Sequence, residues 1–270
     1  MVCRSEQHHP QEPTLLPNRC LILASGASIR DGLQYGLSNY LESNVTFSLN
    51  DNISFVDSTV VVFGDHECYR DRFELFSKHP LTIGRFDCHI GRTIEGALPC
   101  PKHDGLILLP GSGKYNGTEG LSKGLYSSVL TGAFTLNLAC RLGFKQIFLL
   151  GFDCGATGKS THWYDEVPGA GHFGDYEGKE RTGVGINEHG NYNTSFYNKE
   201  DVEINNLWKP FEAEEAMIYN VSLGSRIEVF QKIGYQSMIT ILNQNKIKVN
   251  QEEVQKEIRQ LLTPFNKLDK

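Results

Sequence analysis

Residues 142–153, LGFKQIFLLGFD, limit the architecture of this chain more than any other stretch. Lys145 to Phe152 is almost continuously apolar, and such a strand belongs where both faces of a sheet are covered, as in a parallel sheet. Just before it, Val129, Leu130, Ala133, Phe134, Leu136, Leu138, Ala139 and Leu142 leave a predicted helix over 127–142 with almost no polar face. That helix is expected in the interior, ended by Gly143 in the left-handed conformation. A buried helix feeding a buried strand is the unit from which α/β folds are built. Asp153 then emerges at the strand's carboxyl end, followed by a loop carrying His162. Open α/β sheets bind their ligands at that end.

The pattern recurs along the chain. CLILASGAS, VTFSLNDN, TVVVFGDHE, LTIGRF, GLILLP and MIYNV are short β-rich runs, most of them passing into polar residues. The first runs into the turn Ser25-Gly26-Ala27-Ser28, where Ser28 and Asp31 read as a capping box and Ile29, Leu33, Leu37, Tyr40 and Leu41 recur at helical spacing. Free N–H groups at such a helix start can hold a phosphate, although a lone Gly26 suits an ordinary strand–helix turn equally well. Asn50 and Asp51 end the second run, Asp65 and His66 the third, and a Ser222–Ser225 turn follows the last. Ser127, Ser128, Thr131 and Gly132 form a second hydroxylated helix start, able to bind an anion or simply to cap the helix. GSGK at 111–114 is not a Walker loop, because no second GK[ST] follows.

A chain of 270 residues suits a single α/β domain, here expected over 19–270 after a polar tail at 1–18. The net charge of −6 argues against duplex nucleic acid as a partner. Seven cysteines without CxxC pairs, several in apolar runs, suit reduced thiols and a cytoplasmic setting better than a disulfide framework. No apolar run reaches the roughly 18 residues of a membrane span, and the N-terminal stretch has no signal-type apolar segment. Residues 154–207 lack a sustained period and read as a lid. Between them, Asp153 and this lid bring together Asp153, His162, Asp165, Glu166, His172 and Asp175, the densest grouping of acids and bases in the chain. Their spacing matches no HExxH or EF-hand pattern, so no tightly bound metal is expected and transient Mg is favoured over Zn. A terminal amphipathic helix over 250–263, capped by Asn250 and Glu253 and ended by Pro264, is expected to be structural or to support a homo-oligomer.

The order of these parts resembles the bacterial lipooligosaccharide sialyltransferases and the related domain of unknown function that includes archaeal 6-hydroxymethylpterin pyrophosphokinases and many phage or surface-polysaccharide proteins. In that group an apolar strand ends in a G-N-G-P-S-like turn, a second in an Asn and a third in a polar turn. A [ST]-G helix start then precedes an L-G-x-K-x-I-x-L-x-G-x-D strand. This chain has Ser25-Gly26-Ala27-Ser28, Asn50, Asp65, Thr131-Gly132 and the whole of residues 142–153, while YNVSLGSRI is similar to the group's late strand and turn. It departs from the pattern at Ser25 and Asp65, where the group has Asn.

The resemblance implies a Rossmann-like, mostly parallel α/β sheet with helices on both faces and a long lid insertion near the carboxyl ends of the strands. It also implies a nucleotide held by Ser25, Gly26, Ser28, Asn50, Asp65, Ser128, Thr131, Gly132, Ser222 and Ser225. A loop histidine would be the base, with His162 first and His172 second. Three readings follow. A glycosyltransferase would move a sugar from a CMP- or UDP-type donor to the hydroxyl of a glycan or small-molecule acceptor, with Tyr164 assisting the leaving group and Asp153 beside the base. An ATP-dependent pyrophosphokinase or other phosphotransferase would need Mg on carboxylates such as Asp65 or Asp153. A non-catalytic nucleotide-binding module would keep the fold without turnover. Asp153 could equally be a helix-capping group.

Overall fold

The computed structural model describes residues 16–64, 66–85, 101–127, 130–155, 162–164, 200–244, 246 and 248–267. Among them the apolar runs form strands β1 (Arg19–Leu23), β2 (Thr46–Leu49), β3 (Val60–Phe63), β4 (Thr82–Arg85), β5 (Leu106–Leu109), β8 (Gln146–Leu150) and β9 (Met217–Asn220). With the short β10 (Gln231–Lys232) they make one eight-stranded sheet in the order β10-β9-β8-β1-β2-β3-β4-β5, and each described ladder is parallel. A separate parallel pair joins β6 (Gly111–Ser112) to β7 (Leu125–Tyr126). The helices are α1 (Ile29–Gln34), α2 (Leu37–Ser43), α3 (His66–Asp71), α4 (Phe73–Lys78), α5 (Gly120–Lys123), α6 (Thr131–Arg141), α7 (Asp201–Trp208), α8 (Tyr235–Gln244) and α9 (Gln251–Leu262).

The fold is Rossmann-like. Successive strand residues point to opposite faces, and both faces are apolar. Cys20, Ile22, Ile147 and Leu149 pack with α6 and α9, whereas Leu21, Leu23, Phe148 and Leu150 pack with α1, α2 and α8. Val61, Phe63, Leu106 and Leu108 make a smaller cluster with α3 and α4. The chain runs outward from β1 to β5, then returns to lay β8 against the other side of β1. The strand order therefore reverses between β1 and β8, and their carboxyl ends flank the resulting crevice.

Several boundaries differ from the sequence expectation. The helix expected from Ser127 starts at Thr131, because Ser127 N–H donates to Ser112 O at 2.9 Å and extends the β6–β7 ladder. Its end is as expected: Gly143 has φ +90°, and Phe144 N–H reaches back to Ala139 O at 3.2 Å in a Schellman motif. The single helix expected from Ile29 is two helices, broken at Gly36 with φ +75°. The end of the expected lid is helical, since α7 buries Ile204 and Trp208 one turn apart. Part of the expected tail is packed: Leu16 is buried, and Asn18 O accepts from Lys145 and Gln146 N–H.

Helix α9 is capped by Asn250, whose side chain accepts from Glu253 N–H. Its apolar face, Val254, Ile258 and Leu262, lies in the chain's own core, so the helix is a structural element. The segment after it covers the free edge of β5, with Lys267 N–H donating to Leu108 O and Leu108 N–H to Asn266 Oδ1. Cys20, Cys68, Cys140 and Cys154 are free thiols. Among the described residues no helix is long and apolar enough to cross a membrane.

Candidate active site

At the β1–β8 crevice the β1 turn abuts the end of β8. Gly26 N–H donates to Gly151 O at 3.0 Å, and a Cβ on Gly26 would stand 2.4 Å from that oxygen and 2.6 Å from Asp153 Oδ2. Glycine at 26 thus serves close packing of two strand ends. Asp153 is 6% exposed, and its carboxylate accepts from Ser28 N–H at 2.8 Å and from Ser28 Oγ at 2.5 Å. The Ser28–Asp31 capping box is therefore replaced. Ser28 has helical backbone angles and makes no side-chain cap, and the carboxylate from β8 satisfies the helix start, as orphan N–H groups and the positive helix end favour. The buried Tyr235 hydroxyl lies beside this pair. Burial and the Asp153 charge push its pKa well above the ordinary tyrosine value, with Ser28 acting in the opposite direction.

A second corner forms where β2, β3 and α6 meet. Asn50 sits just past β2 with φ +49°, an unusual conformation for a residue other than glycine. Its Oδ1 accepts from Gly64 N–H at 3.2 Å and its Nδ2 approaches Thr131 Oγ1 at 3.5 Å. A Cβ on Gly64 would fall 2.1 Å from that hydroxyl, so the backbone there must be bare. Asn50 and Thr131, picked out separately in the sequence, are neighbours. Gly132 faces the Phe152 ring, 2.7 Å from where a Cβ would lie. Asp65, Ser128 and His172 lie outside the described residues, as do Asp165, Glu166 and Asp175.

His162, Trp163 and Tyr164 are docked against the turn after β1. Trp163 N–H donates to Ser25 O and its indole Nε1 to Asn52 Oδ1, each at 2.9 Å. Asn52, fully buried, donates in turn to Leu23 O and Leu49 O at 3.1 Å, tying the ends of β1 and β2 together. Arg30 donates to the carbonyls of Trp163 at 2.9 Å and His162 at 3.2 Å. Phe55 stacks on Tyr164 at 4.9 Å and meets Trp163 edge-on at 5.2 Å. The half-buried His162 ring lies 5.3 Å from that of Tyr164. Tyr164 is 1% exposed, so it forms the wall behind His162. The sequence reading passed over Arg30, Asn52 and Phe55; the one local signal was the polar cluster closing VTFSLNDN.

Ser222 and Ser225 are both buried, in the turn after β9. Ser225 Oγ donates to Phe152 O at 2.6 Å, and Arg226 N–H donates to Asp153 O at 3.0 Å, which fastens this turn to the end of β8. Cys154, with φ +52°, adjoins it. Burial and the Asp153 charge push its thiol up to about 12, against the opposing pull of Arg226, so it is no nucleophile near neutral pH. Asn50 and Cys154 are the non-glycine residues at positive φ among those described, and both stand at carboxyl strand ends. No family model, curated protein or solved structure matches the chain.

Proposed function

We propose that the protein is a glycosyltransferase that moves a sugar from a CMP- or UDP-type donor to an acceptor hydroxyl, with His162 as the general base. The observation that carries this reading is the docking of the His162 segment at the strand-order reversal, where Arg30 and Asn52 hold its backbone and the neighbouring indole. Imidazole is the side chain whose ordinary pKa lies nearest neutrality, and a base must be held in place to work. His162 takes the acceptor proton, the acceptor oxygen bonds to the anomeric carbon, and the bond from that carbon to the donor phosphate breaks. The departing charge needs preorganised donors, for which Thr131 and Asn50 at the α6 start are the candidates.

Phosphotransfer from ATP ranks second, because the sequence has no phosphate-binding lysine motif, and Asp153, one of the two carboxylates available for Mg, is engaged by Ser28. A thermal-shift panel of CMP, UDP, GDP and ATP, with and without Mg, separates the two. Stabilisation by CMP or UDP, together with loss of turnover and retained binding in His162→Ala, supports glycosyl transfer. A Mg-dependent preference for ATP overturns it, and nucleotide binding without turnover on any donor points to a non-catalytic module.

A further inference from the structure

Beside Trp163, on the face of the sheet that carries α1 and α2, lies a cavity of about 110 Å³. Leu23, Leu41, Phe55, Val56 and Trp163 wall it. The indole nitrogen of Trp163, its one polar side-chain atom, is already bonded to Asn52, so the ring contributes apolar surface and π-electrons. Ile29 and Leu33 add to the apolar wall, and the exposed Ser38, Glu42 and Asp57 supply the polar part of the lining, with two carboxylates at its mouth. No basic side chain among the described residues lines it.

This combination selects among ligands. A hydrated metal ion would lose its water shell to walls that cannot replace it. A neutral hydrocarbon would fill the walls and gain nothing from Glu42 and Asp57. An anion would meet two like charges. A compact alkylated ammonium group satisfies every part: its methyl groups pack on Leu23, Leu41 and Val56, its diffuse charge faces Trp163 and Phe55, and the carboxylates complete the field. We propose that this cavity binds the alkylated ammonium head of a small organic cation.

The test compares choline with 3,3-dimethylbutan-1-ol, which has the same shape and no charge, at constant ionic strength. The chain has two tryptophans, Trp163 and Trp208, so intrinsic fluorescence reports the site and Trp163→Phe identifies the responding ring. Choline is expected to change the emission saturably and to bind about tenfold more tightly than the alcohol. Glu42→Gln with Asp57→Asn, at exposed positions, is expected to weaken choline binding severalfold and leave the alcohol unchanged, without moving the ligand-free unfolding midpoint. Equal affinity for the two probes overturns the proposal. So does the absence of a saturable response to choline, a choline response that persists in Trp163→Phe, or a choline affinity that the double substitution leaves unchanged.

Discussion

Ser28 donates two hydrogen bonds to Asp153, from its backbone nitrogen at 2.8 Å and from its hydroxyl at 2.5 Å, and so joins the start of α1 to the end of β8 across the crevice. A carboxylate supplied by the neighbouring strand does here what a local capping side chain does elsewhere. Asp153→Ala is expected to lower stability by about 1–3 kcal/mol in urea unfolding, because a buried helix start loses its acceptor. Ser28→Ala removes only the hydroxyl and should cost less, and the two effects should couple by more than about 0.5 kcal/mol in a double-mutant cycle.

Gly26 and Gly143 are required for different reasons. Gly26→Ala drives a methyl group into the Gly151 carbonyl and Asp153, which are poorly able to retreat, and about 1–3 kcal/mol should be lost. Around Gly143 there is open space, but its φ of +90° penalises any side chain, so Gly143→Ala should cost about 1 kcal/mol. Chemical denaturation midpoints of the two variants test the difference, and crystal structures should show backbone displacement in the first alone.

Asn52 holds the Trp163 indole and the last carbonyls of β1 and β2 together. Asn52→Ala is expected to cost about 2–3 kcal/mol through the buried groups left unpaired. Trp163 emission should move to the red as the segment loosens. On the proposed reaction, turnover should fall even though His162 is intact. Unchanged emission would show that the aromatic contacts with Phe55 suffice to hold the segment.

Alkali should destabilise the protein. Burial raises the thiols of Cys20, Cys140 and Cys154, the last two to about 12, and raises the Tyr115 and Tyr235 hydroxyls above the ordinary range. An unfolded thiol loses its proton near pH ~8.5, so above that point the native state binds more protons than the unfolded state. Stability is therefore fully present below pH ~8.5 and declines as pH rises toward 12. Urea midpoints from pH 8 to 11 should fall steadily, and site-resolved alkylation at pH 8 should leave Cys154 unmodified. Rapid alkylation of Cys154 at that pH would contradict the raised pKa of its thiol.

The parallel α/β fold was legible because its evidence is local. Residues 147–150 and 60–63 are apolar without interruption, and such runs are stable only between two covered faces. Gly143 and Asn250 were readable as caps because their partners lie within one helical turn. The short β6, β7 and β10 were missed, since two residues carry no period.

The site was legible as a set of residues and not as an arrangement. Asn50 and Asp153 stand out as polar groups at strand ends, Thr131 at a helix start and His162 in the loop beyond β8, and this much follows from residue type and position. Their partners do not: Ser28 and Asp153 are 125 positions apart, Asn52 and Trp163 are 111 apart, and Asn50 and Thr131 are 81 apart. No periodicity or spacing rule spans such distances. The sequence alone determined which segments become buried strands and which polar groups collect at their carboxyl ends. Strand order then decided that Asp153 meets Ser28 and that Trp163 meets Asn52, because only the placement of β8 beside β1 brings those ends within hydrogen-bonding distance.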